Sequence, residues 1–81
     1  MKFVFTPSAE EQFESLTSLN RRRISKKMRF FAFQPDPLKF AEPLTGSSAY
    51  RFRIGDYRVI FEVLHETLWV VAIKRRDEAY R

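Results

Sequence analysis

The feature that most constrains this chain is a two-residue turn, Gly55-Asp56, between two segments in which apolar and polar residues alternate. Glycine at the first position of such a turn favours a type II′ β-hairpin. The turn fixes the register of the hairpin, and the register decides which side chains share a face of the sheet. The pairs that it predicts are Ile54–Tyr57, Arg53–Arg58, Phe52–Val59 and Arg51–Ile60.

The two faces of this hairpin differ sharply in character. One carries apolar and aromatic residues suited to a core, namely Tyr50, Phe52, Ile54, Tyr57, Val59 and Phe61. The other carries Arg51, Arg53 and Arg58 together. Because directly opposed like charges destabilise a sheet, the arginines need an anionic neighbour. Two interpretations remain open: a solvated face neutralised by an acidic side chain (Glu62, Asp56 or Asp77), or a binding site for an anion.

A second candidate turn, His65-Glu66, extends the same register into a third strand. It predicts the pairs Glu62–Trp69, Ile60–Val71 and Arg58–Ile73, and it places Arg75 on the arginine face. That face then also carries four apolar residues, Ile60, Trp69, Val71 and Ile73. Either the residue 34–49 connection or the C-terminal segment covers them, or they form an apolar groove for a partner's strand or helix.

The rest of the chain predicts one further strand and two helices. Met1 to Phe5 has the pattern of a strand, and Ser8 with Glu11 has the spacing of a capping box. Apolar stripes (Ala9, Phe13, Leu16 and Leu19, then Ile24, Met28 and Phe31) predict a helical hairpin over about residues 8–33, with Asn20 capping its second helix.

Residues 34–49 carry three prolines and Gly46, and form an irregular connection. The strands after it are predicted at Tyr50–Ile54, Tyr57–Leu64 and Thr67 to about Lys74, and a terminal turn of helix at Arg75–Arg81. The order β-α-α-β-β-β predicts an α+β fold, with a helical hairpin packed on one face of a small, twisted, mostly antiparallel sheet.

Composition supports a single domain over residues 1–81. Without cysteine the chain has no disulfide framework or zinc–thiolate cluster, and 44 % hydrophobic residues supply an apolar core instead. No metal or cofactor motif is present, so none is expected. No segment is long enough to span a membrane, and Met1 to Glu11 lacks the apolar stretch of a signal peptide. We therefore expect a cytoplasmic protein.

The net charge of +5 is concentrated in one segment. Residues 21–29 contain six basic side chains and no acidic one: Arg21, Arg22, Arg23, Lys26, Lys27 and Arg29. On a helix they form either a solvated face or a surface that grips a nucleic-acid backbone. A DNA-recognition helix is less favoured, because no helix-turn-helix glycine turn accompanies the run.

The pattern from Tyr50 to Phe61, together with the late segment Arg75-Arg76-Asp77-Glu78-Ala79-Tyr80-Arg81, resembles the RelE/ParE superfamily of toxins from bacterial type II toxin–antitoxin systems. The resemblance covers essentially the whole chain, and the element order of that family matches the one predicted above. It implies a helical hairpin on a twisted antiparallel sheet, and silencing by a cognate antitoxin. The RelE branch cleaves mRNA in the ribosomal A site, whereas the ParE branch poisons DNA gyrase.

The resemblance also implies roles for single residues. Arg51 and Arg53 match two basic strand positions, Arg58 matches the arginine after the Gly-Asp-Tyr turn, Arg76 a late arginine and Tyr80 the near-terminal tyrosine. These five form the implied catalytic set. The basic helix, with Arg75, is the expected ribosome- and RNA-binding surface, and the apolar residues beside the arginines are the expected antitoxin site.

The implied reaction is metal-independent cleavage of RNA by attack of a ribose 2′-OH on the adjacent phosphate. Arginines suit the stabilisation of the phosphorane, because they bind phosphate oxygens bidentately and stay charged. Arg75 stands where many members have His, and His65, the one histidine, falls in a predicted turn. Tyr80 is then the candidate base if flanking arginines lower its pKa; otherwise it is an aromatic that anchors the C-terminus. A gyrase inhibitor and a non-toxic RNA-binding homologue are the alternatives.

Overall fold

The computed structural model describes residues 1–76 and contains two helices and five strands. The helices are α1 (Pro7–Glu14) and α2 (Ser18–Phe33), and a short 3₁₀ helix follows at Pro37–Phe40. The strands are β1 (Lys2–Phe5), β2 (Glu42–Pro43), β3 (Tyr50–Ile54), β4 (Tyr57–Leu64) and β5 (Thr67–Arg75). The sheet order is β1-β5-β4-β3-β2, with β1 parallel to β5 and every other pair antiparallel. The predicted α+β class is confirmed.

Both helices begin at a threonine rather than at the predicted caps. The Thr6 hydroxyl accepts a hydrogen bond from the Ala9 amide at 3.2 Å, and the Thr17 hydroxyl accepts one from the Asn20 amide at 3.3 Å. The Ser8 and Asn20 caps were therefore wrong. Pro7 takes the first helical position, which its fixed φ favours, and so places Thr6 at the cap.

The helices bury one apolar stripe against the sheet, with Ile24 and Met28 almost fully enclosed. The centre of the core is an aromatic stack. The rings of Phe31 and Phe52 lie 4.2 Å apart between centroids, and those of Phe52 and Phe61 4.4 Å apart. Leu19, predicted on the first apolar stripe, is instead 53 % exposed, because α1 ends at Glu14 and Leu19 lies in the first turn of α2.

The first hairpin has the predicted register at every pair, from Tyr50–Phe61 to Ile54–Tyr57. Gly55 has a φ of +59° and Asp56 does not have a positive φ, which is the pattern of a type II′ turn. The turn between β4 and β5 is different, since His65 (φ +50°) and Glu66 (φ +58°) are both left-handed, as a type I′ turn requires.

The β4–β5 pairing departs from the prediction at a β-bulge. Glu62–Trp69 is confirmed, but Phe61 pairs with Val70 and Ile60 with Ala72, so that Val71 is an extra residue in β5. The predicted pairs Ile60–Val71 and Arg58–Ile73 are therefore wrong. Beyond the bulge the two faces of β5 are exchanged: Ile73 is opposite Val59 in the core, Lys74 is opposite Arg58, and Arg75 is opposite Tyr57.

A side chain from α1 completes the hydrogen bonding of β5 where β1 stops. The last backbone contact there is the Thr6 amide, which donates to the Val70 carbonyl at 2.9 Å. Further along, the Ile73 amide donates to Gln12 Oε1 at 2.7 Å. Gln12 thus takes the place of a missing strand and holds β5 extended to Arg75.

Within residues 1–76 no helix has the length and apolar character needed to cross a membrane.

Candidate functional site

Three cations form a row across the outer face of the sheet, which is the face turned away from the helices. Arg53 on β3 is opposite Arg58 on β4, and Arg58 is opposite Lys74 on β5. Neighbouring strands lie about 4.8 Å apart, so the backbone positions of this row span roughly 10 Å. Arg51 lies two residues before Arg53 on the same face. We call these four residues the cationic row; the shared face of its three arginines is as predicted.

Lys74 is the member of the cationic row that the sequence reasoning missed. The bulge at Val71 carries it to the outer face and turns Arg75 to the helix side, where it pairs with Tyr57. The predicted position of Arg75 on the arginine face is therefore wrong. The alternation of β5 could not reveal the change, because Val70 to Ile73 is apolar throughout and fits either register.

The acid that compensates the row is Glu42, from the short edge strand β2. Its Oε2 accepts from Arg51 Nη2 at 3.0 Å and from Arg53 Nη2 at 3.3 Å, and its Oε1 lies 2.7 Å from Arg53 Nε. The acids predicted for this task were Glu62, Asp56 and Asp77. Glu42 was missed because β2 is two residues long, contains Pro43 and lies in a segment without strand periodicity.

The electrostatics of the row follow from these contacts. The hydrogen bond from Arg51, with the positive charges of Arg53 and Arg51, holds the pKa of Glu42 below its ordinary value against an opposing effect of desolvation. The side chains of Glu42 and Arg53 are about half exposed, whereas Arg58 is only 3 % exposed. The site therefore combines a buried permanent cation with accessible ones, an arrangement that can bind an oxyanion and stabilise added negative charge.

The end of the sheet that carries the row also holds Arg76. Its amide donates to the carbonyl of Asp56 at 2.6 Å, which ties the chain after β5 to the β3–β4 turn. Tyr80, the candidate base, falls in residues 77–81, outside the described part of the chain. His65 is exposed in the β4–β5 turn, at the far end of β4 from Arg58.

The basic segment of α2 is largely solvent-exposed, as its sequence predicts. Arg21 is the exception: its Nη1 donates to the carbonyls of Glu14 (3.3 Å) and Leu16, so it caps the end of α1. Lys27 lies 5.7 Å from the centre of the Phe30 ring. The exposed cations of this helix are Arg22, Arg23, Lys26, Lys27 and Arg29.

Apolar residues continue the outer face beside the cationic row. Trp69 is 38 % and Leu64 is 55 % exposed, and Ile60 and Val71 are half-buried. We call these four residues the outer apolar surface. Ile73, predicted among them, is 7 % exposed and belongs to the core because the bulge turns it inward.

The residue 34–49 connection packs on α2 rather than across this surface. The ring of Phe40 lies 5.8 Å from that of Phe30 and 5.5 Å from that of Phe31. Between residues 1 and 76 the structure has no group of three or more His, Cys, Asp or Glu side chains that could hold a metal ion.

A comparison with protein-family models identifies the family of the chain. Residues 3–80 match the family model described as the ParE toxin of the type II toxin–antitoxin system parDE. No curated protein gives a significant sequence match.

Solved structures with the same fold come from both bacteria and archaea. A chain of the RelBE toxin–antitoxin complex of Mycobacterium tuberculosis superposes with a TM-score of 0.80 at 20 % identity, over 93 % of this chain and 90 % of that one. The isolated RelE toxin of E. coli gives 0.77 at 19 % identity, over 98 % and 89 %. The RelE–RelB complex of Pyrococcus horikoshii gives 0.74 at 27 % identity, over 93 % of each chain.

Proposed function

The chain belongs to the ParE toxin family of type II toxin–antitoxin systems, and from this premise we propose that it cleaves messenger RNA on the ribosome. The observation that carries the proposal is the cationic row. Arg53, Arg58 and Lys74 lie side by side on three strands, with Arg51 adjacent. Such a row suits a single strand of RNA, because its exposed cations can contact phosphates while the buried charge of Arg58 adds to the positive potential.

The reaction assigned to this site is an internal displacement. The 2′-OH of a ribose attacks the adjacent phosphorus, its proton passes to a base, and the bond to the 5′-oxygen of the next nucleotide breaks. The products are a 2′,3′-cyclic phosphate and a free 5′-OH, which takes up a proton. Arg51, Arg53, Arg58 and Lys74 stabilise the charge that accumulates on the phosphorane.

Two further residues complete the catalytic set that the family pattern implies. Tyr80 is proposed as the base. Its phenol must lose a proton near neutral pH to serve, and the positive charges of Arg76 and Arg81, which are close to it in sequence, would favour that loss. Arg76 stands at the same end of the sheet through its bond to Asp56, and is proposed to stabilise the leaving group.

The remaining surfaces are assigned to partners. The exposed cations of α2 are proposed to contact the phosphate backbone of ribosomal RNA, and Arg75 to add to that contact. A cognate antitoxin is proposed to cover the outer apolar surface at Ile60, Trp69 and Val71, where its own apolar residues exclude water.

Inhibition of DNA gyrase is the second candidate function. The description of the matching family model names ParE toxins rather than RelE toxins. In addition, His65 lies in the turn after β4, at the opposite end of that strand from Arg58, and so cannot act as an acid or base at the cationic row. In this second function the exposed cations of the protein bind gyrase or its DNA and catalyse no cleavage.

A cell-free translation reaction distinguishes the two candidates. Purified protein is added, and mRNA ends are mapped in parallel with a gyrase supercoiling assay. We expect ends to appear within translated codons with wild-type protein, and to disappear with Arg53→Gln, Lys74→Gln and Tyr80→Phe. Lys39→Gln, which removes an exposed charge outside both surfaces, serves as the matched control and keeps full activity. Intact mRNA together with blocked supercoiling would contradict the proposal.

A further inference from the structure

Glu42 binds the cationic row in the manner in which the row would bind phosphate. Its two oxygens face Nε and Nη2 of Arg53 at 2.7 and 3.3 Å, which is the bidentate geometry that arginine also adopts with phosphate oxygens. Oε2 of Glu42 also accepts a hydrogen bond from Arg51 Nη2 at 3.0 Å. One carboxylate therefore occupies donors of both accessible arginines.

The carboxylate of Glu42 is carried by a hydrogen-bonded strand, β2, rather than by an irregular loop. Glu42 is opposite Arg51 in the β2–β3 ladder, and the ladder continues with Pro43 opposite Tyr50. Proline on β2 donates no backbone hydrogen bond, which suits an edge strand. The pairing brings Glu42 beside the arginines in the free protein.

We propose that Glu42 is an internal competitor for the phosphate site: it fills the Arg51 and Arg53 donors in the free protein and is displaced when a phosphodiester strand binds. This inference deepens the proposed function, on which its biological meaning rests. Glu42 is then a specificity-determining residue. A single phosphate only exchanges one anion for another at these arginines, so net affinity must come from further contacts of a longer strand.

The exposure of the ion pairs makes this exchange feasible. The side chains of Glu42 and Arg53 are 46 % and 52 % exposed, so both ends of the contact are accessible to solvent. Exposed ion pairs are weak, and the loss of one or two of them corresponds to about a two- to tenfold change in an equilibrium constant. A carboxylate held this weakly lowers phosphate affinity without abolishing it.

The test compares Glu42→Gln with Glu62→Gln in the full chain. Glu62 is an exposed glutamate on the same face of the sheet, so both variants remove one charge, but only the first empties the arginine donors. Binding to a 2′-O-methylated single-stranded RNA hexamer, which cannot be cleaved, is followed by fluorescence anisotropy at about 50 and 200 mM salt. We expect Glu42→Gln to bind about two- to tenfold more tightly at both concentrations, and Glu62→Gln to change less than twofold.

A second measurement does not depend on oligonucleotide affinity. The Nε–Hε NMR signal of Arg53 is followed while inorganic phosphate is added, and we expect it to shift at lower phosphate in Glu42→Gln than in wild type. Equal or weaker binding by a folded Glu42→Gln in both measurements would overturn the inference. An increase in RNA affinity equal to that of Glu62→Gln would also overturn it, since the loss of one negative charge that repels RNA would then explain both variants. Competition with no mRNA cleavage in the translation assay would keep this inference while refuting the proposed function.

Discussion

The two hairpin turns at the ends of β4 provide a paired test of backbone strain. Gly55 and Glu66 have nearly the same φ, +59° and +58°, but one is glycine and the other is not. We expect Glu66→Gly to stabilise the fold and Gly55→Ala to destabilise it. The first change removes a Cβ at a positive φ and the second introduces one, in turns of different type.

The magnitudes follow from the geometry. A left-handed conformation costs a residue with a Cβ about 1–2 kcal/mol, whereas glycine loses about 0.5–1 kcal/mol more backbone entropy on folding. The difference predicts a gain of about 1 kcal/mol for Glu66→Gly. A Cβ at Gly55 meets no atom within 4 Å, so the loss there of about 1 kcal/mol or more is purely conformational.

Urea unfolding followed by the fluorescence of Trp69, the one tryptophan, measures both effects. In a chain of this size each kcal/mol also moves the melting temperature by about 4–8 °C. Glu66→Ala is the control, because it removes the side chain and keeps the strain, and we expect it to change stability by less than about 0.5 kcal/mol. The reasoning is refuted if Glu66→Gly is neutral or destabilising, or if Glu66→Ala stabilises equally.

Three further predictions test the contacts that position the site. Gln12→Leu leaves the Ile73 amide without its 2.7 Å acceptor, and we expect urea unfolding to show a loss of about 1–3 kcal/mol; an unchanged midpoint would show that the bond is dispensable. Arg21→Met removes the hydrogen bonds to the end of α1, and we expect a loss of about 1 kcal/mol in the same assay, whereas Lys26→Met on the exposed face leaves stability unchanged; equal effects would contradict a capping role. Because the pKa of Glu42 is lower in the folded than in the unfolded chain, its contribution to stability is present above the unfolded pKa of about 4.5 and is lost as the pH falls through the folded value. Glu42→Gln should therefore flatten the acid side of the stability profile, measured between about pH 7 and 3, and a profile parallel to wild type would count against the contact.

Local patterns predicted the two helices, four of the five described strands and the arginine face of the site. The glycine-first turn and the strict alternation around it determine the β3–β4 register, and with it the shared face of Arg51, Arg53 and Arg58. The burial of Ile24 and Met28 likewise follows from their spacing along one helix.

The features that the sequence did not predict depend on non-local pairing. The extra residue Val71 is invisible in an apolar run, so the exchange of Lys74 for Arg75 on the outer face could only come from the structure. Glu42 reaches the arginines through a two-residue strand that has no periodicity of its own. The role of Tyr80 stays a prediction, since residues 77–81 lie outside the described part of the chain.

The parallel pairing of β1 with β5 has a consequence for the order in which the molecule can be assembled. Residues 2–5 find their hydrogen-bond partners only when residues 67–70 have been synthesised. The helical hairpin and the β3–β4 hairpin are local and can form early, but closure of the sheet has a high contact order and comes late. The cationic row takes Lys74 from that same strand. We therefore expect the candidate site to be completed late in folding, when β5 joins the sheet and brings Lys74 beside Arg58.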